Sequence, residues 1–229
     1  KGISIGDSVD LHKDVVNNVR VHSKENLLLT TSIDGTIRCL KYKPGAFVDK
    51  ATTPNFVLGY SQTPKSLCWA SEGKSQFGVG VFEENDLYMF DLKSPKPLTS
   101  IKLPQSKGKG VRQLQALPTE QGYLAASEDG CVYQIDSVSN RVVQKFQIGV
   151  DPISALSISN DGLNFLTGGA DGVVKVWDRR KGKALAEVIA HRRKQNDAVS
   201  SLVYLKEQGC FVSGGADGEL AGFRVAGLY

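Results

Sequence analysis

The chain has 229 residues, 41% hydrophobic and 23% charged, enough apolar material for a buried core and too much for a disordered segment. Its net charge of +4 permits an acidic partner but falls short of the dense positive charge of a dedicated nucleic-acid binder. No run approaches the roughly 18 apolar residues of a membrane-spanning helix, and KGISIGDSV lacks a signal-peptide core, so no membrane contact is expected.

Taken in chain order, the predicted elements are all short strands. Residues 3–9 and 15–21 are strand-like runs, and 27–42 (LLLTTSIDGTIRCLKY) holds two β-rich runs joined at Asp34-Gly35. The same order returns four times. Runs at 55–59 and 66–70 precede a hairpin over 77–92, and runs at 98–103 and 111–116 precede one over 123–136. Those at 142–148 and 153–158 precede 165–178, and those at 185–190 and 199–205 precede 211–225. β-Branched and aromatic residues fill the runs, turn formers such as Asn160-Asp161-Gly162 separate them, and no stretch has an amphipathic helical period.

The turn aspartates are Asp34, Asp86, Asp129, Asp171 and Asp217, spaced by 52, 43, 42 and 46 residues. A period near 40–45 residues with four strands per unit is that of a propeller blade. The expectation is one all-β domain over 1–229, with repeats at about 12–60, 61–104, 110–148, 151–191 and 197–229. Residues 1–10 then supply the outer strand of a last or preceding blade. Cys39, Cys68, Cys131 and Cys210 are far apart and sit in or beside apolar runs, as buried free thiols of a reducing, intracellular compartment would.

The segment GGADGVVKVWD, ending at Trp177-Asp178, resembles the signature of the WD40 family. The other repeats resemble it with Leu40, Phe90, Ile135 and Phe223 at the tryptophan position, and a degenerate Gly-His element stands at Leu11-His12 and Ala190-His191. The resemblance implies a WD40-type β-propeller of about five four-stranded blades. The ring either closes with these blades or is part of a larger one of seven. It also implies a buried hydrogen-bonded chain of His, Ser or Thr, turn Asp and Trp. The matching residues are His12 with Ser32 and Asp34, His191 with Ser213 and Asp217, and Asp171 with Trp177; no repeat holds the full set. These residues are expected to be structural, so that Asp34→Ala or Asp171→Ala acts on stability.

Enzymatic chemistry lacks its parts. Gly73-Lys74-Ser75 looks like the end of a phosphate-binding loop, but Cys68 stands where the leading Gly is required and no helix follows. His12, His22 and His191 cluster neither with one another nor with cysteines, and Glu83-Glu84 and Glu128-Asp129 read as solvated turn residues. No catalytic residue, metal, cofactor or small-molecule substrate is expected.

Function therefore falls to the loops. Turns between third and fourth strands carry Lys41, Lys43, Lys93, Lys96, Arg141, Arg179, Arg180, Lys181 and Lys183 with almost no acidic residues, whereas the opposite ends are mixed. The basic insertion HRRKQND at 191–197 lies on the mixed side. A face rich in Lys and Arg suits an acidic protein surface or a nucleic-acid backbone. Three readings result: a non-catalytic scaffold for other proteins in an intracellular complex, nuclear or cytoplasmic; a propeller associated with ribonucleoprotein; and a ubiquitin-ligase receptor. The last rests on Asp171, Lys175, Trp177, Asp178 and Arg180, which resemble the box that WD40 proteins present to a cullin adaptor.

Overall fold

The structure, a computed structural model, describes residues 12–22, 26–43, 46–48, 56–57, 64–70, 76–81, 86–94, 96–104, 110–118, 122–191, 198–205 and 210–224. For 42–43, 46–48, 56–57, 76 and 78–81 only the backbone is described. The strand expected at 3–9, the Gly73-Lys74-Ser75 turn, Glu83-Glu84 and the 192–197 insertion lie outside these residues.

Five antiparallel sheets follow one another along the chain, each built from consecutive strands. Sheet one holds β1 (Val16–Val21), β2 (Leu27–Ser32) and β3 (Thr36–Lys43), with β4 (Ala46–Val48) and β5 (Phe56–Val57) both paired to β3. Sheet two holds β6 (Pro64–Trp69), β7 (Gln76–Val81), β8 (Asp86–Asp91) and β9 (Thr99–Lys102). Sheet three holds β10 (Val111–Ala116), β11 (Gly122–Ser127), β12 (Cys131–Asp136) and β13 (Arg141–Gln147). Sheet four holds β14 (Ile153–Ile158), β15 (Asn164–Gly169), β16 (Val173–Asp178) and β17 (Lys183–Ile189). Sheet five holds β18 (Val199–Leu205), β19 (Cys210–Gly215) and β20 (Leu220–Phe223).

The Asp-Gly punctuation has a local cause. Gly35, Gly130, Gly172 and Gly218 all have φ near +80°, which glycine adopts without a Cβ penalty, and each donates its N–H three residues back. The preceding aspartate closes the turn. Oδ1 of Asp34, Asp129, Asp171 and Asp217 accepts the N–H two residues on at 2.9–3.1 Å. Asp86 is different. It opens β8 opposite Lys102 rather than sitting in the turn, so it does not belong to this series. A second repeat is a β-bulge at the start of every first strand, between Val16/Asn18, Pro64/Ser66, Val111/Gln113, Ile153/Ala155 and Val199/Ser201.

Packing runs from flank to flank. The first strands of successive sheets contact one another, and apolar clusters seal sheet one to two, two to three, three to four and four to five. Each covered aliphatic or aromatic side chain contributes roughly 1.5–3 kcal/mol. Polar bridges also tie the first strands of neighbouring sheets together. Asn18 Nδ2 donates to Lys65 O at 2.6 Å, Gln115 Nε2 to Leu156 O at 2.7 Å, and Ser154 Oγ to Val199 O at 2.5 Å.

Among the described residues, the two end sheets differ from the inner ones in coverage. Register makes Ile37, Leu87, Val132, Val174 and Leu220 equivalent. The first four are 0% exposed against the next sheet, whereas Leu220 is 81% exposed. At the other end Val16, Val19 and Val21 are 46%, 48% and 55% exposed, although their counterparts Ile153, Leu156 and Ile158 are all at 9% or less. Among the described residues, sheets one and five thus present uncovered apolar flanks.

Candidate functional site

At one end of the sheets, beside each turn between second and third strands, lies a polar site. In sheet five the imidazole of His191, fully buried, has Nδ1 at 3.0 and 3.2 Å from the Asp217 oxygens and Nε2 at 2.9 Å from Ser213 Oγ. A carboxylate can only accept, so Nδ1 carries a proton toward Asp217, while Nε2 lies against the Ser213 hydroxyl, which also reaches Ala221 O at 3.4 Å. The structure thus brings His191, Ser213 and Asp217 together, with Phe223 stacked on Phe211 at the tryptophan position.

Sheet one repeats this arrangement with one correction. His12 Nδ1 faces Asp34 Oδ2 at 3.3 Å and Thr36 Oγ1 at 2.9 Å, but Nε2 meets Thr30 Oγ1 at 2.7 Å rather than Ser32. Ser32 instead donates to Asp14 O and accepts from Asp34 N, inside the turn. Register explains the miss: Thr30, Thr167 and Ser213 all stand four residues before their turn aspartate, an offset visible in the sequence.

Burial lowers the His12 pKa below its ordinary value, outweighing the Asp34 carboxylate that would raise it. The His12–Asp34 contact is accordingly a hydrogen bond of a neutral ring. Burial would raise the Asp34 carboxyl, but Thr36 Oγ1, the N–H groups of Lys13 and Thr36, and His12 together hold it well below the carboxylate range. The sign for pH follows. An unfolded histidine titrates near 6.5 and takes up a proton that folded His12 resists, so stability is complete above that value and is lost as pH falls through the folded pKa. We expect the melting temperature to drop between pH 7.5 and 5.5, and to drop less in His12→Ala; calorimetry at the two pH values checks this.

Sheets three and four fill the same position differently. In sheet three Tyr133 occupies it, its hydroxyl 2.6 Å from Asp129 Oδ2 and 2.8 Å from Pro104 O, with burial and the carboxylate pushing its pKa up so that it stays a donor. In sheet four Trp177 Nε1 donates to Thr167 Oγ1 at 3.3 Å, but Gly149 stands where sheet one has His12. What remains is a cavity of about 40 Å³ lined by Gly149, Thr167, Asp171 and Lys175 among others. Asp171, expected in a buried chain with Trp177, is instead exposed and only closes its turn. Thr30, Thr36, Tyr133 and Thr167 are the site residues that sequence reasoning passed over.

The opposite ends of the sheets carry the basic residues. Lys93 and Lys96 follow β8, Arg141 opens β13, Arg180 and Lys181 lie in the β16–β17 turn, and Lys183 opens β17; all are exposed. Two corrections apply. Arg179 is 5% exposed, its Nε donating to Gly162 O at 2.6 Å, so it supports the turn from inside. Lys41 and Lys43 lie within β3 rather than in a turn; Lys41 is exposed.

Nor are these turns free of acid. Asp91, Asp136 and Asp178 end β8, β12 and β16 and accept the N–H groups of Lys93, Val138, Arg180 and Lys181. The Lys181 N–H and ammonium hold the Asp178 carboxyl below its ordinary range, as the Val138 N–H and Ser139 hydroxyl do for Asp136. The box residues of sheet four have local partners too. Lys175 Nζ reaches Ile148 O at 3.4 Å and lies 3.7 Å from Glu187, and Asp178 caps its turn. Among the described residues, no group of three or more His, Cys, Asp or Glu is placed to hold a metal ion.

Repeated antiparallel sheets of up to four strands, an Asp-Gly turn at one fixed place and a His-Asp-Ser or His-Asp-Thr site beside it are consistent with the blades of WD40 repeats. Comparison with known proteins agrees. The family described as "WD domain, G-beta repeat" matches residues 7–40 and 141–178, which include most of sheet one and the inner three strands of sheet four. Similar proteins are striatins. The chain is 21% identical over 207 residues to Striatin-4 of Mus musculus, covering 90% of this chain and 27% of that protein. It is 23% identical over 197 residues to the Striatin homolog of Dictyostelium discoideum, covering 83% and 24%. With Striatin-3 of Mus musculus the identity is 21% over 210 residues, covering 90% and 26%. The chain spans about a quarter of the length of these curated relatives.

Proposed function

We propose that this chain is a non-catalytic scaffold that binds other proteins within an intracellular complex. The cationic ends of sheets two to four receive an acidic protein surface. The observation that carries this reading is the alignment of Lys93, Lys96, Arg141, Arg180, Lys181 and Lys183 on the same ends of three consecutive sheets, all exposed. The adjacent aspartates accept backbone N–H groups, and the Lys181 ammonium lies 3.7 Å from Asp178 while remaining largely exposed. Rim charges of this kind set association rate and specificity more than raw affinity. Free thiols at Cys39, Cys68, Cys131 and Cys210 suit a reducing interior, and burial pushes the Cys68 thiol up to about 11, far from a reactive thiolate. WD40 repeats and striatin relatives support the scaffold reading as a class.

Reversing Arg141, Arg180, Lys181 and Lys183 to Glu is expected to weaken partner binding by at least about tenfold while leaving the melting temperature unchanged. Affinity purification of the tagged chain, with and without nuclease, reads this out. Partners retained by the reversed variant, or lost on nuclease treatment, would overturn the proposal.

A further inference from the structure

We infer that the cavity at the turn end of sheet four is a recognition site for an imidazole ring supplied in trans, as a histidine side chain or as a free imidazole compound. The backbone fixes its equivalence to the sheet-five site. The N–H groups of Ala190 and His191 both donate to Gly172 O at 3.1 Å, and those of Ile148 and Gly149 both donate to Gly130 O, at 3.0 and 3.2 Å. Gly149 therefore stands before sheet four where His191 stands before sheet five. The other members of the site are in place. Thr167 holds the register position of Ser213, Gly169 that of Gly215, and Asp171 closes its turn as Asp217 does.

Three glycines show that the space of the ring is kept. A Cβ added at Gly215 would collide with Nδ1 and Cγ of His191 as well as with Asp217, whereas one added at Gly169 would meet Asp171 alone. Gly149 itself has room for a side chain, since a Cβ there would have only the Asp151 backbone nitrogen near it, at 3.9 Å. The result is the cavity of about 40 Å³ lined by Gly149, Thr167, Gly169, Asp171 and Lys175. A single water needs roughly 10–15 Å³, so a larger group fits. Asp151 and Asp171, which also line it, are exposed, so a ring can enter from solvent.

The polar groups suit a neutral imidazole in both of its roles. Oδ1 of Asp171 accepts the Val173 N–H at 3.1 Å, which leaves Oδ2 for a ring N–H, as the Asp217 carboxylate meets Nδ1 of His191. Thr167 Oγ1 accepts from Trp177 Nε1 at 3.3 Å, so its own O–H is left to donate to the second ring nitrogen. Lys175 Nζ is drawn the other way, to Ile148 O at 3.4 Å and Glu187 at 3.7 Å. In sheets one, three and five the chain fills the same place itself, with His12, Tyr133 and His191. The cavity lies at the opposite ends of the sheets from the cationic residues, so this inference and the scaffold reading fail separately. Only a histidine side chain as the source of the ring rests on that reading.

Imidazole at about pH 8, where the ring is neutral, is the probe, and the indole N–H resonances of the two tryptophans in the isotope-labelled chain are the readout. Trp177, bonded to Thr167, is expected to shift saturably, while Trp69, which donates to Arg20 O between sheets one and two, stays unmoved. N-Methylimidazole has no N–H for Asp171 and should bind at least about tenfold more weakly. Imidazole should lose as much on Asp171→Asn, which keeps the acceptor for the Val173 N–H. Gly149→His supplies the ring in cis; it should raise the melting temperature by about 2 °C or more and abolish the imidazole response. An acetyl-Gly-His-Gly amide that saturates the same shift assigns the ring to a histidine side chain, and saturation by imidazole alone assigns it to a free compound. No saturable Trp177 shift, equal binding of N-methylimidazole, or a folded Gly149→His chain that still responds to imidazole overturns the inference. Should Gly149→His not fold, Asp171→Asn at its exposed turn decides, and unchanged imidazole binding there overturns it equally.

Discussion

Phe165→Ala is expected to lower stability by about 3–5 kcal/mol, which for a chain of this size is a fall of roughly 10 °C in melting temperature. Phe165 is fully buried on β15, edge-to-face with Phe146 at 4.9 Å and stacked on Trp177 at 6.1 Å. Truncation leaves a void between sheets three and four that the two-sided packing cannot close. The same cross-strand stack recurs as Phe77 on Phe90 at 5.3 Å and Phe211 on Phe223 at 6.2 Å, so the aromatic pair is a repeated element of the blade. Phe165→Leu keeps most of the volume and should cost less than about half as much. Thermal melts of the three proteins measure this; a loss below about 1 kcal/mol for Phe165→Ala would show that sheets three and four do not share this core.

His191→Ala is the second large effect, about 2–4 kcal/mol. The substitution removes a buried ring together with its bonds to Asp217 and Ser213, leaving Asp217 the Glu219 N–H and Ser213 the Ala221 carbonyl. Space cannot be recovered by the backbone. Gly215 lies against the ring so closely that a Cβ added there would collide with His191 Nδ1. Ser213→Ala removes the contacts to His191 and Ala221 O while the imidazole keeps Asp217, and should cost about 1 kcal/mol. Denaturant unfolding of both variants checks the order. Equal losses would mean that the His191–Asp217 bond contributes little.

What the sequence shows and hides follows from the range of the physics. Turn chemistry is local, so Asp34-Gly35, Asp129-Gly130, Asp171-Gly172 and Asp217-Gly218 could be read directly, and with them the strands on either side. Asp86 misled because the acidic residue that opens a strand and the one that closes a turn look alike without register. Thr30 was overlooked for Ser32 because both lie near Asp34, and only pairing against β3 shows which hydroxyl reaches the ring. Tyr133 was invisible as a site residue because the expected group was an imidazole, whereas the position requires only a donor to the aspartate. The burial of Arg179 depends on a carbonyl 17 residues away and no turn rule predicts it. Strand order fixed neither closure nor opening, since those depend on flanks that meet only in three dimensions.

Equivalence of the sheets, with coverage ending at sheet five, is the claim on which the rest stands. Val174 and Leu220 hold the same register position, one 0% and the other 81% exposed. The paired melting temperatures of Val174→Glu and Leu220→Glu measure it most directly. A buried unpaired carboxylate in sheet four should cost more than about 4 kcal/mol and prevent a cooperative melt, whereas the change in sheet five should stay within about 0.5 kcal/mol of the parent. Equal and large losses at both positions would contradict the account, because Leu220 would then be covered as Val174 is.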